Sequence, residues 1–195
     1  MISILIDQFP TAVMIGDQEI PINSDFRTGI RIILAFEDND LAGFEKQSVL
    51  LQNLYPKPIE NEFIEEAVKQ GIKFLNCGKV VSEDEDNEDL PRLYSFDQDA
   101  ELIFAAFKQT HGIDLDEAQL HWWKFMTLFM DLGADTAFCN LIGLRHRLKT
   151  GKATKEERQF ARDHEKLVEL PEIDMRTLEE KEKSAEFLRL VKGNK

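Results

Sequence analysis

Between Ala118 and Leu132 the chain is apolar at nearly every turn. Ala118, Leu120, Trp122, Trp123, Phe125, Met126, Leu128, Phe129 and Leu132 share this stretch with only two charges, Lys124 and Asp131. Wound into a helix opened by Asp114-x-x-Glu117, these side chains surround most of the circumference. A helix apolar all round has to be buried among other elements. The run is well short of the ~20 residues needed to span a bilayer, so its partners are protein and not lipid. Consecutive helical positions point about 100° apart, so Trp122 and Trp123 anchor two different faces of a core and do not form one ligand platform. His121, at the edge of those faces, is read as a satisfied hydrogen-bonding group and not as a metal ligand.

Elements able to surround such a helix are legible on both sides of it. Ala12–Ile15 and Glu19–Ile22 flank Gly16-Asp17-Gln18, which predicts a hairpin whose second strand lies at an edge because it contains Pro21. Asn23, Ser24 or Asp25 can cap a helix carrying Phe26, Ile30, Ile33 and Leu34, in which Gly29 is an unfavourable residue. A second helix is predicted from Leu41 to Leu54. A third has Pro58 in its first turn, carries Phe63, Ile64, Ala67, Val68, Ile72 and Leu75, and ends at Gly78. Ser95-x-x-Gln98 reads as a capping box for a helix ending at Gly112, and Phe138 to Leu148 as a helix ending near Gly151. Thr154-x-x-Glu157 opens another helix and Thr177-x-x-Glu180 a last one. The expected fold is mainly α: an N-terminal β-hairpin plus helices, an acidic linker, then a C-terminal helical bundle.

The linker is Ser82–Asp89, which holds six acidic residues and no hydrophobe and so cannot be ordered by packing. A calcium loop is the sharper alternative, but the run lacks the central Gly and distal Glu of the helix-loop-helix motif. It divides the chain into residues 1–81, a linker over 82–91, and residues 92–195. The net charge of −13 is opposite to the footprint of a phosphate-backbone binder, so no nucleic acid is expected. Charge is nevertheless uneven. Arg145 to Arg162 holds seven basic and two acidic residues, a local +5 in a chain that is otherwise −18. Arg145, Arg147 and Lys149 are the candidate partner-binding residues on this strip, receiving an acidic protein or the acidic linker in cis. Replacing all three by Glu is expected to leave the fold intact and weaken association.

No catalytic signature accompanies these features. The ten glycines form neither GxGxxG nor GxxxxGK[ST], there is no GxSxG, and the four histidines lie in unrelated contexts. Cys77 and Cys139 lie far apart with no metal-ligand spacing, so free buried thiols are expected, with no cofactor and no metal. The Met1–Asp7 stretch lacks the basic region of a signal peptide. An intracellular, reducing compartment fits these features.

Ala105-Ala106-Phe107, His111-Gly112-Ile113-Asp114-Leu115, Leu120-His121-Trp122-Trp123-Lys124-Phe125 and Leu141-Ile142-Gly143-Leu144-Arg145 together resemble the gene-product-15 family of tailed phages and prophages of Gram-positive bacteria. The most specific piece is GIDL followed by LHWWKF. His111 stands where that family's pattern favours an aromatic residue, often Tyr, a departure that touches packing only. The resemblance implies a tail-assembly role, as a tail assembly chaperone binding the tape measure and/or tail tube protein. It also implies self-association, residence in the host cytoplasm, absence from the mature virion and no enzymatic activity. The competing reading is an acidic DNA mimic or regulator that occupies a host DNA-binding protein. An enzyme with a pocket assembled from distant segments is a third.

Overall fold

The computed structural model of the chain describes residues 5–79 and 91–173. The acidic run Glu83–Asp89 and the last helix expected from Thr177 lie outside the described residues. The fold is mainly α, with a two-stranded antiparallel hairpin ahead of the helices, as the periodicity predicts.

β1 (Ala12–Ile15) and β2 (Gln18–Pro21) are joined by the two-residue turn Gly16-Asp17 in the register Ile15↔Gln18, Val13↔Ile20. Gly16 adopts φ +55°, and its N–H donates to Glu66. α1 (Phe26–Glu37) is capped by Asp25, whose carboxylate accepts from the Arg27 N–H. α2 (Gly43–Leu54) buries Leu50 and Leu54 completely. α3 (Ile64–Leu75) begins later than expected: Pro58 precedes a 3-10 turn (Asn61–Phe63) and is not in the first turn of the helix. Glu60 is extended, Ile59 turns inward against the core, and Phe63 packs beneath the Gly16 turn, contacts that a helix begun at Pro58 would forgo.

Two later helices also start downstream of their sequence signals. α4 (Ala100–His111) begins after Ser95 has nucleated a turn, its hydroxyl accepting from the Asp97 and Gln98 N–H groups. The box is not closed by Gln98, because Asp99 takes the Ser95 N–H while the Gln98 amide donates to the carbonyls of Lys166, Leu167 and Glu169. α5 (Trp122–Met130) starts at an N-cap on His121 and not at Asp114. The intervening residues are held in another conformation. The Arg27 guanidinium donates to the carbonyls of Leu115, Asp116 and Ala118, and Leu120–Trp122 lies against Ser24–Phe26 as a short bridge. α6 (Ala137–Lys149), capped by Thr136, α7 (Lys155–Asp163), opened by the Thr154/Glu157 capping box, and α8 (Glu165–Val168) complete the described fold.

α5 is the centre of the structure. Phe125 is fully buried and stacks on Phe26 of α1 at 4.8 Å and on Phe107 of α4 at 4.9 Å, so residues on both sides of the 82–91 stretch share one continuous core. The neighbouring indoles have a second task. Trp122 Nε1 donates to the Leu75 carbonyl and Trp123 Nε1 to that of Phe74, capping the last turn of α3, where carbonyls lack intrahelical donors. Gly29 now has a reason to interrupt α1: a Cβ there would lie 2.4 Å from the Trp122 ring. Tyr55 is buried with its hydroxyl donating to the Ala67 carbonyl at 2.7 Å, and burial pushes the phenol up to about 12. Tyr55→Phe is therefore expected to cost about 1 kcal/mol in urea unfolding, the net worth of one buried hydrogen bond.

Candidate functional site

The strip expected to face a partner begins with Arg145, and the structure corrects that expectation. Leu141, Leu144 and Leu148 define the apolar stripe of α6, and Arg145 lies within it at 2% exposure. Its guanidinium grips Asp99 bidentately, Nη1 to Oδ2 at 2.6 Å and Nη2 to Oδ1 at 2.9 Å. The remaining donors reach the carbonyls of Val168, Leu93 and Leu167 at 2.8 to 3.0 Å. All five N–H groups of the fork are used. A buried cation with no donor to spare presents nothing to a partner, so Arg145 is a structural staple between the 93–99 segment, α6 and α8.

Arg147 and Lys149 lie further out, and each is engaged. Arg147 pairs with Glu157 at 2.6 Å, and this contact, with the Thr154 N–H, holds the Glu157 carboxyl below the usual carboxylate range. Lys149 Nζ donates to the Arg92 carbonyl. Arg92 extends the seam, with Nη2 on Glu37 at 2.6 Å and Nη1 on the Pro171 carbonyl. Burial raises the Glu37 pKa against the pull of Arg92. The basic strip thus ties α1, the segment after Pro91, α6 and the segment after α8 into one network, and Lys149, Lys152, Lys155, Arg158 and Arg162 are its exposed members. Sequence reasoning missed Asp99 and Arg92. The available signal was Arg145 itself, a charge inside an apolar stripe, which calls for a buried counter-ion.

His121 is a satisfied structural group. Its Nδ1 accepts from the Trp123 N–H at 3.0 Å, so Nε2 carries the proton donated to the Pro10 carbonyl at 2.9 Å. Phe9 stacks on the ring at 5.0 Å. Burial lowers the His121 pKa from 6.5, outweighing the Pro10 hydrogen bond. Because the folded state disfavours the imidazolium, this contribution to stability is complete above about pH 6.5 and is lost as pH falls through the depressed folded value. His121→Asn, which can still cap α5, is expected to flatten that part of the pH profile measured by thermal melts between neutral and mildly acidic buffer.

An open apolar groove lies at the turn end of the hairpin. Ile15, Ile20 and Pro21 line one side, and Pro56, Pro58, Ile59 and Phe63 the other, with Lys57 and Glu60 on the rim. Elsewhere Phe44, Phe104 and Met130 are exposed at 67%, 41% and 77%. Among the described residues no group of three or more His, Cys, Asp or Glu is placed to hold a metal ion, and no helix is long and apolar enough to cross a membrane.

These features define a mainly α protein with a leading hairpin and an aromatic core centred on the LHWWKF helix. The chain belongs to the Bacteriophage Gp15 protein family, whose model matches residues 5–170. No curated protein and no solved structure matches it.

Proposed function

We propose that the protein is a phage tail morphogenesis factor, a tail assembly chaperone that binds the tape measure and/or tail tube protein in the host cytoplasm and does not remain in the virion. Membership of the Bacteriophage Gp15 protein family over residues 5–170 is the observation that carries this reading. On it the protein works by binding and not by catalysis, and needs no cofactor. Apolar anchors spaced along a partner helix would be taken up by exposed apolar side chains such as Phe104 on α4 and Met130 on α5. Lys149 and Lys152, beside the Arg147–Glu157 pair, would meet the partner's acidic residues.

Co-expression with the candidate tape measure protein of the same phage or prophage tests this. The expected result is co-purification and retention of that product in the soluble fraction, with Phe104→Asp/Met130→Asp losing both. A tape measure that is equally insoluble with and without this protein would end the chaperone reading. Lys152→Glu is expected to weaken the pull-down without altering the melt, because its side chain is exposed.

A further inference from the structure

Beyond α7, six of the seven main-chain carbonyls from Lys166 to Glu172 accept from side chains of other elements. The Gln98 amide reaches those of Lys166, Leu167 and Glu169 at 2.9 to 3.2 Å. Arg145 takes those of Leu167 and Val168, Arg92 that of Pro171 at 3.0 Å, and Asn39 that of Glu172 at 2.8 Å. The segment's own charged side chains do not return the contact. Glu165, Lys166, Glu169 and Glu172 are exposed, and among the described residues none of them forms an ion pair. Recognition therefore runs through the backbone, and the side chains that decide it belong to the rest of the fold.

Apolar anchoring is equally thin. Val168 is the only fully buried side chain between His164 and Ile173, and it packs on Leu141 and Leu144 in a small cluster separate from the main core. A segment with one buried anchor and mostly exposed hydrogen bonds belongs to the low-stability end of a fold. Its departure breaches neither the main core nor the buried ion pair. Arg145 would give up the Val168 and Leu167 carbonyls but keep Asp99 on both Nη atoms and Leu93 on Nη1. Water takes the place of the carbonyls on the freed donors at modest cost.

We propose that residues 164–173 form a releasable strap, which leaves the fold as one unit and uncovers the Leu141/Leu144 face of α6. While seated, the strap keeps Leu141 and Leu144 at 7% and 8% exposure, so that face is available only in the released state. Gln98, with three of the carbonyls on one amide, is the latch.

Native-state hydrogen exchange on the purified full chain, without any tail protein, tests this independently of the chaperone reading. The Leu167, Val168 and Glu169 amides donate to the His164 and Glu165 carbonyls. They are expected to exchange together, about tenfold or more faster than the α5 amides of Phe125 and Phe129, and with a weaker urea dependence because little surface opens. Tyr55→Phe should quicken the α5 amides and leave the strap amides unchanged, since the strap-open and strap-closed forms lose the Tyr55 hydrogen bond alike. Gln98→Ala should quicken the strap amides about fivefold, the equivalent of one net hydrogen bond. Lys166→Ala/Glu172→Ala should leave them as they are, because both side chains are exposed. Strap amides that exchange at the α5 rate overturn the proposal, as do strap amides that accelerate with α5 in Tyr55→Phe. Unchanged strap exchange in Gln98→Ala removes the latch and overturns it too.

Discussion

Arg145→Ala is expected to be the most damaging single substitution on α6, lowering the unfolding free energy by about 3–5 kcal/mol, the range for stripping one partner from a buried ion pair. The loss has identifiable parts. The Asp99 carboxylate, 1% exposed, keeps only the Ser95 N–H, and the carbonyls of Leu93 and Val168 lose their donor, while that of Leu167 keeps the Gln98 amide. Arg145→Lys preserves the charge but not the fork, so one ammonium cannot serve five acceptors and most of the loss remains. Arg145→Glu sets two carboxylates together in the same apolar site, so replacing all three of Arg145, Arg147 and Lys149 by Glu unfolds this region, contrary to the sequence-based expectation of an intact fold. The apolar pair Asp99→Leu/Arg145→Met is expected to recover only part of the loss. It removes the stranded charge but leaves the carbonyls of Leu93 and Val168 and the Ser95 N–H without partners. Urea unfolding of these four variants orders them. A double variant as stable as wild type would show that the carbonyl contacts contribute nothing.

Trp122→Ala is expected to cost about 3–5 kcal/mol through the cavity left by a fully buried indole. The Leu75 carbonyl also loses its cap. The sharper measurement is a cycle with Gly29. In the wild-type background Gly29→Ala drives a Cβ to 2.4 Å from the ring and is expected to destabilise by about 1–3 kcal/mol. In the Trp122→Ala background the same change meets open space and should stabilise α1 by about 0.5–1 kcal/mol, the ordinary advantage of Ala over Gly in a helix. A change of sign between the two backgrounds identifies the indole as the reason for the glycine. The same sign in both would place the cause elsewhere.

Much of the fold is readable from periodicity and caps. The hairpin, the Asp25 and Thr154 caps and the burial of the Trp122–Phe129 face all follow from local pattern, because local hydrogen bonds and amphipathicity decide them. Helix starts at Pro58, Ser95 and Asp114 come out wrong for a common reason: distant groups claim the first turn. Phe63 goes under Gly16, Asp99 turns to Arg145, and Arg27 collects the carbonyls of Leu115, Asp116 and Ala118. The candidate site fared similarly. A basic strip is visible as composition, but whether each cation faces water or a carboxylate depends on contacts such as Arg145 to Asp99, 46 positions apart. No spacing rule reaches that far. The groove was equally hidden, since Pro21 and Pro58 read from sequence only as an edge-strand and a first-turn residue.

The two indole N–H groups that cap α3 come from residues 47 and 49 positions further along the chain. During synthesis, the hairpin and the first three helices therefore emerge from the ribosome before the segment that finishes them exists. A nascent chain ending at Lys79 leaves Phe26 and Phe74 without Phe125 and Trp123, on which they stack, and it must wait, open to chaperones and proteases, until α5 has cleared the exit tunnel. Co-translational collapse of this protein is thus gated late, and synonymous or pausing changes that slow translation between residues 80 and 120 would prolong its most vulnerable interval.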